Sequence, residues 1–228
     1  MRTTRAHDRW SEAADRFTGE FDHEFRLVVA DTRALREATF ALRHEVYCRE
    51  LGFEPVRVDG LERDDYDDRA LHYLLAHVPS GGWAGCVRVV LDEAGAGLPF
   101  ESVFGEVPAA RSFGAAGEIS RLTVSHGFRQ AVREFPDRPR FHPHAVLGLA
   151  LTAVAASAEA GLGTAVCMMK PRLAAQLRTY GIRFAQVTGE ITHRGRRALF
   201  GMTPLATCRE VDPELQGVLR ALRAQIRR

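Results

Sequence analysis

Ionisable side chains stand inside segments that otherwise read as β-strands. Glu118 and Arg121 fall within an apolar run typical of a strand, and Arg88 lies inside a similar run at 84–91. Residues 62–67 add four acids. Because a buried, unpaired charge is costly, such residues are either paired or used in function. We therefore predict that these three segments meet at one polar site.

The same residues could instead form a structural ion-pair network. In that interpretation the acids neutralise Arg88 and Arg121, while Glu118 satisfies one of the two arginines. Charge pattern alone does not separate this alternative from an active site, since both perturb ionisable groups. A run of acids such as 62–67 also favours a solvated loop, which leaves Tyr66 within it harder to explain.

Length and composition predict one ordinary globular domain. The chain has 228 residues and a formal net charge of +2, which argues against a nucleic-acid binder. We expect a single domain over 1–228, with an N-terminal helix at 1–22 and a C-terminal helix at 212–228 as appendages. The four cysteines lack metal-type spacing, so we expect small buried thiols in a reducing compartment and no metal.

The chain shows no targeting or membrane signal. Its N-terminal region is charged, without the apolar core of a secretory signal. The longest apolar run, 145–158, is too short to span a bilayer. We therefore expect a cytoplasmic protein with no integral membrane segment.

Periodicity and turn residues predict alternating strands and helices. The pattern Trp10, Ala14, Phe17 and Phe21 indicates a helix over 8–21, and Thr32 or Asp31 caps a helix that ends at Gly52. Residues 53–70 and 125–144 read as irregular. The remaining predicted strands are 25–30, 71–78, 83–91, 118–124, 164–169, 182–188 and 197–205, with helices at 145–161, 171–181 and 215–226.

This order of elements resembles the N-acyltransferase fold of the GNAT superfamily. The resemblance implies an α/β fold with a single mixed sheet and flanking helices. It also implies that the sheet is splayed at the fourth strand, here 118–124, where an acyl-pantetheine would lie.

Particular residues resemble narrower families. The first half of the chain is similar to acyl-homoserine-lactone (autoinducer) synthases through Arg43, Tyr47, Leu51-Gly52-Phe53, Glu62-x-Asp64-x-Tyr66-Asp67, Arg88 and Glu118-x-Ser120-Arg121. The segments 118–125 and 168–173 resemble the acyltransferases associated with PEP-CTERM/exosortase systems and the N-acyl amino acid synthases. The second resemblance spans most of 25–205.

Two departures from these families shape the expected substrates. Autoinducer synthases carry a Trp in the S-adenosylmethionine pocket where this chain has Phe53. The phosphate loop of the superfamily is replaced by the basic segment 125–144, which suits a donor on acyl carrier protein better than coenzyme A. Carrier proteins are acidic, so a docking patch is expected, with a solvated basic loop as the alternative. The candidate docking residues are Arg129, Arg133, Arg138, Arg140, Lys170 and Arg172.

The resemblance assigns roles in the transfer of a fatty acyl group to an α-amine. Glu118 is the candidate base, with Arg121 as the second catalytic residue. Backbone N–H groups near Leu122, Thr123 and Val124 would hold the oxyanion and the pantetheine. The candidate acceptor-binding residues are Arg43, Tyr47, Phe53, Asp64, Tyr66, Asp67 and Arg88, the arginines (with Arg121) binding the acceptor's carboxylate.

Glu118 and Arg121 would point to opposite faces of a regular strand, so we predict a β-bulge between them. No bound cofactor is expected, and the partners are acyl carrier protein and a small amino-acid-like acceptor. Three alternatives stay open: an acyl-homoserine-lactone synthase that uses S-adenosylmethionine, a conventional acyl-coenzyme A-dependent GNAT enzyme, and a non-catalytic ligand-binding module.

Overall fold

A computed structural model describes residues 21, 23–111, 114, 116–134 and 141–227. The predicted N-terminal helix lies outside the described residues except at Phe21, whose side chain is buried. Arg138 and Arg140 of the expected docking patch also lie outside them. Within the described part of the chain, none of the helices is long and apolar enough to cross a membrane.

The fold is built on one mixed sheet of eight strands. Its order is β1-β2-β3-β4-β5-β8-β6, with β7 paired to β8, and β4–β5 is a parallel pair in an otherwise antiparallel sheet. The predicted hairpin of β2 and β3 is confirmed. The strands are β1 Phe25–Val29, β2 Ala70–His77, β3 Gly82–Leu91, β4 Ala116–Val124, β5 Thr164–Met169, β6 Ala185–Gln186, β7 Ile191–Thr192 and β8 Arg196–Met202.

Seven α-helices flank the sheet in the described residues. They are α1 Arg33–Arg43, α2 Glu101–Phe104, α3 His126–Ala131, α4 Phe141–Glu159, α5 Pro171–Arg178, α6 Pro204–Glu210 and α7 Gln216–Ile226. Helix α4 packs between the sheet and α7, in the largest core cluster. Helices α1 and α2 contribute to two smaller clusters. The α/β fold with flanking helices is therefore confirmed.

Helix α1 begins as predicted, with the Thr32 side chain accepting a hydrogen bond from the N–H of Leu35 at 3.3 Å. Beyond Arg43 the chain continues as a π-helix over His44–Glu50, which the sequence did not indicate. Gly52, at a φ of 61°, follows it in the left-handed conformation that ends helices.

The sheet opens where β4 and β5 part. These strands pair through Glu118 opposite Val166 and no further, although both strands continue. On its other side β4 carries an extra residue. Ser120 pairs with Arg88 and Thr123 with Cys86, so two residues of β4 face one of β3. The predicted splay is confirmed. The bulge lies further along the strand than predicted, because pairing is regular from Glu118 to Ser120 and the extra residue falls at Arg121 and Leu122.

The basic segment 125–144 was wrongly predicted to be irregular throughout. Ser125 caps α3 by accepting a hydrogen bond from the N–H of Phe128 at 3.2 Å. Helix α4 begins at Phe141 rather than Ala145. Pro143 stands in the first turn, where a missing N–H costs no helical hydrogen bond.

The predicted strands at the far end of the chain were too long. The strand expected over 182–188 is only Ala185–Gln186, and the one expected to reach Leu205 ends at Met202. Pro204 then begins α6, because proline fits the first turn of a helix but cannot donate to a strand ladder. The short strand β7 was missed.

Gly85→Ala tests the close approach of β3 to the bulge. A Cβ at Gly85 would lie 2.2 Å from the Thr123 carbonyl oxygen and 2.9 Å from Leu149 Cδ1. A backbone oxygen cannot rotate away, so we expect the free energy of unfolding to fall by about 1–3 kcal/mol. Urea denaturation measures this, and Gly189→Ala is the control, since nothing lies within 4 Å of its added Cβ. Equal midpoints for the two variants would contradict the packing described.

Candidate active site

A cavity of about 450 Å³ occupies the gap where β4 and β5 separate. Its walls come from both strands, from α2, α4, α5 and β8, from the π-helix and from several loops. Eight of the candidate site residues line it, and these are Tyr47, Phe53, Asp64, Tyr66, Glu118, Arg121, Leu122 and Lys170. The splayed sheet therefore brings together side chains that lie up to 75 positions apart in the sequence.

Glu118 is the most unusual carboxylate of the cavity. It is 2% exposed, and its Oε2 accepts a hydrogen bond from the N–H of Phe100 at 2.6 Å. Burial raises the pKa of Glu118 to about 7, and outweighs the opposing effects of the Phe100 bond and of the Arg88 and Arg121 charges. A carboxyl group with this pKa can both take and return a proton near neutral pH.

Arg43 and Arg88 lie behind the cavity wall and not in it. Both are 1% exposed, and both are bonded to Asp67. Arg43 donates from Nε to Glu62 at 2.5 Å and from both terminal nitrogens to Asp67, at 2.7 and 3.1 Å. Arg88 donates from Nη1 to Asp64 and Asp67, each at 2.6 Å. This position corrects the expectation that these two arginines meet the acceptor's carboxylate directly.

The acids of 62–67 divide between the interior and the surface. Glu62 and Asp67 are 4% and 6% exposed, so the alternative of a wholly solvated loop is wrong for them. Burial acts to raise the pKa of Asp67, but the hydrogen bonds and charge of Arg43 and the charge of Arg88 outweigh it and hold that pKa well below its usual range. The pKa of Glu62 is lowered in the same way by Arg43 and Arg121, against the effect of burial.

Arg121 sits at the bulge with a φ of 53°, a left-handed conformation that is uncommon outside glycine. Its Nη2 donates to Glu62 at 3.0 Å and to Asp64 at 3.1 Å, and its guanidinium lies 5.4 Å from the Tyr47 ring centre. The Tyr47 hydroxyl donates to the Leu122 carbonyl at 2.9 Å. The bulge thus turns the Arg121 side chain toward the acids, and Tyr47 holds the bulge in place.

The residues predicted for pantetheine binding and carrier docking lie mostly outside the cavity. Thr123 and Val124 are buried in the continuation of β4, and of the 122–124 segment only Leu122 reaches the cavity. Arg129 is paired with Glu50, and Arg133 and Arg172 are exposed. Lys170 is exposed and stands at the cavity edge.

Sequence reasoning missed the wall built by the β7–β8 end of the chain. Arg194, at a φ of 52°, donates to Glu54 at 2.7 Å and lies 5.7 Å from the Phe53 ring centre. Arg197 of β8 also lines the cavity. The Arg194-Gly195 pair is the one local sequence signal of the turn between β7 and β8. The position of this turn beside the cavity depends on the pairing of β8 with β5, whose residues are distant in sequence.

Cys167 also lines the cavity, but burial raises the pKa of its thiol to about 12. A thiol with this pKa is protonated at neutral pH and is a poor nucleophile. Among the residues that the structure describes, no group of three His, Cys, Asp or Glu side chains is arranged to hold a metal ion.

Residues 42–133 match the family model of the acetyltransferase (GNAT) domain, and this range contains every polar residue of the bulge and its acids. No curated protein matches the chain. The fold, the splay and this match define an acyltransferase domain of the GNAT class. The predicted GNAT recognition and enzyme class are confirmed.

Three solved structures illustrate the similarity of fold. FeeM, an N-acyl amino acid synthase from uncultured soil microbes, has a TM-score of 0.55 at 12% identity, over 82% of this chain and 94% of its own. TofI, in a complex with an inhibitor and MTA, has 0.58 at 19%, over 84% and 99%. The CoA-dependent acyl-homoserine lactone synthase BjaI, with SAM and isopentyl-CoA, has 0.54 at 20%, over 89% of both chains. Because the sequence identities are only 12% to 20%, the similarity to these structures establishes the fold alone.

Asp67→Asn tests the buried network. Removing one partner leaves two buried guanidinium groups under-compensated, so we expect the free energy of unfolding at pH 7 to fall by about 3–5 kcal/mol. Chemical denaturation measures the loss. Asp68→Asn, at the exposed neighbouring position, is the control and should stay within about 0.5 kcal/mol of the wild type.

Acid titration tests the same network independently. The folded pKa values of Asp67 and Glu62 lie below their unfolded values. Their stabilisation is therefore fully present above the unfolded pKa of about 4 and is lost as pH falls below it. We expect wild-type stability to drop between about pH 5 and 2, with a shallower slope in Asp67→Asn. Parallel slopes would mean that Asp67 is not ionised in the folded protein.

Proposed function

We propose that the protein is an N-acyltransferase that moves a fatty acyl group from an acyl carrier protein thioester to the α-amine of an amino acid, giving an N-acyl amino acid. The observation that carries the proposal is the position of Glu118. This buried carboxyl group, with its raised pKa, stands where β4 and β5 part and borders a largely apolar cavity.

The reaction needs a neutral amine, and the acceptor arrives as an ammonium. The Glu118 carboxylate takes one proton, and the amine then attacks the thioester carbonyl to form the C–N bond. Beyond Glu118, β4 has no strand partner on its β5 side, so its backbone near Leu122 is available to stabilise the oxyanion. The C–S bond breaks as the intermediate collapses, and the thiolate takes up a proton returned by Glu118. The attacking nitrogen loses its second proton to water.

The apolar part of the cavity suits a fatty acyl chain. It is lined by Ala150 and Ala153 of α4, by Leu173 and Leu177 of α5, and by Phe184. The two alanines leave space that larger residues would fill. An apolar chain buried there gains roughly 0.8 kcal/mol per CH₂, which favours a fatty acyl donor over acetyl.

Exposed cations support a carrier-protein donor. Arg133, Lys170 and Arg172 are exposed, and Lys170 stands at the entrance to the cavity. Opposite charges steer acidic carrier proteins toward such a surface.

The polar residues of the bulge that match autoinducer synthases favour a second candidate, the synthesis of an acyl-homoserine lactone from S-adenosylmethionine.

Mass spectrometry of extracted lipids after heterologous expression separates the candidates. N-acyl amino acids support the proposal, and acyl-homoserine lactones would replace it with the second candidate. Purified protein is then supplied with acylated carrier protein or acyl-coenzyme A and a panel of amino acids. Turnover with acyl-coenzyme A alone would overturn the proposed donor, and no turnover with either would overturn the proposed activity.

Glu118→Gln tests the base. The amide that replaces the carboxylate cannot accept the proton but keeps an oxygen for the Phe100 N–H, so we expect activity to fall by about 10²–10⁴-fold with the fold retained. In the wild type, kcat/KM should rise with pH through about 7 as the carboxyl ionises, and the variant should lack this rise. Glu106→Gln, at an exposed position, is the control. Full activity in Glu118→Gln would eliminate Glu118 as the base.

The Arg133→Glu/Arg172→Glu double variant tests carrier docking. Both positions are exposed and outside the cavity. We expect KM for acylated carrier protein to rise roughly tenfold or more, equivalent to about 1.4 kcal/mol, with KM for acyl-coenzyme A unchanged. Arg178→Glu, at the far end of α5, is the control. Unchanged kinetics with the carrier protein would place docking elsewhere.

A further inference from the structure

The ion-pair network in and behind the polar wall of the cavity is balanced in charge. Four arginines, Arg43, Arg88, Arg121 and Arg194, are hydrogen-bonded to four acids, Glu54, Glu62, Asp64 and Asp67. Each positive charge of this network is matched by a negative one. An incoming carboxylate would therefore find no net positive charge there, and it would have to displace an existing partner to bind.

Two further cations line the cavity outside this network, Lys170 and Arg197. Within the described ranges, neither has an ion-pair or hydrogen-bond partner for its side chain. Lys170 is exposed at the cavity edge, where water competes for its charge. Arg197 is half-buried, so its guanidinium is the cation of the cavity best placed to gain from an anionic ligand.

Arg197 and Glu118 lie on the same face of the sheet. Side chains alternate along a strand, and Arg197 is two residues before Leu199, which packs in the cluster with Val166 and Phe100. On β4, Glu118 is two residues after Ala116 of the same cluster, and it accepts the N–H bond of Phe100. Both charged groups thus extend from one face, on either side of β5.

The register sets the distance between these two positions. Glu118 is opposite Val166 of β5, and Val166 is opposite Gly201 of β8, four residues from Arg197. Two strand spacings of about 5 Å and four residues at about 3.3 Å place the two Cα atoms roughly 16 Å apart. Glu118 and Arg197 both line the cavity that occupies this gap.

We propose that Arg197 binds the carboxylate of the acceptor amino acid. The planar guanidinium can hold the carboxylate through two parallel hydrogen bonds, while the amine of the same molecule lies toward Glu118. This assignment rests on the proposed function, because it names the group that orients its acceptor. It gives Arg197 the role that the sequence suggests for Arg43, Arg88 and Arg121.

The test compares Arg197→Gln with wild type on matched acceptors. Each amino acid is paired with its decarboxylated amine, such as leucine with 3-methylbutylamine and phenylalanine with 2-phenylethylamine. We expect KM for the amino acids to rise tenfold or more, and KM for the amines and for the acyl donor to change less than twofold. Arg197→Lys should recover part of the loss. Arg196→Gln is the control, because Arg196 is exposed and paired with Glu190.

Specific outcomes would overturn the assignment. An unchanged KM for the amino acids, an equal rise for amino acids and amines, or a rise only for the acyl donor each contradicts it. A second measurement does not require turnover: the amino acids should raise the melting temperature of the wild type and of Arg196→Gln, but not of Arg197→Gln. If they shift none of these proteins or all of them equally, Arg197 does not bind the carboxylate. If the wild type shows no turnover but the amino acids still raise its melting temperature and not that of Arg197→Gln, the proposed function is contradicted and the binding role of Arg197 is not.

Discussion

The Asp67 carboxylate, held between the guanidinium groups of Arg43 and Arg88, is the interaction on which the rest of the site depends. It joins α1, the acidic loop and β3 with contacts of 2.6 to 3.1 Å. Because a lone charge of either kind would be costly at this depth, the three groups must be buried together. Once they are, the loop is fixed against the sheet, and Asp64 and Glu62 are presented to Arg121.

This arrangement divides the cavity into parts with different physical properties. The wall beside the bulge is rich in charge but neutral as a whole, so it is rigid and has little attraction for ions. The wall formed by α4 and α5 is apolar. Glu118 lies between them, in surroundings dry enough to raise its pKa to about 7. The same gap in the sheet therefore combines an apolar wall, a neutral polar wall and a titratable carboxyl group.

Much of the fold could be predicted because it follows from local sequence patterns. The hairpin of β2 and β3 has a clear turn, and the bulge followed from the need for Glu118 and Arg121 to share a site. The burial of Arg43 and Arg88 could not be read in this way, since their partners are 19 to 24 residues away. Arg197 was missed for a similar reason: its strand was predicted, but the pairing of β8 with β5 that brings it to the cavity depends on contacts distant in sequence.

The π-helix at His44–Glu50 has a consequence for how such a site is recognised or rebuilt. A turn of this helix takes more residues than an α-turn, so residues four apart are no longer stacked on one side. This lets Arg43 bond to the buried acids while Tyr47 bonds to the Leu122 carbonyl. A designer who grafted both side chains onto an ideal α-helical scaffold would reproduce the amino-acid sequence of the motif but not its geometry.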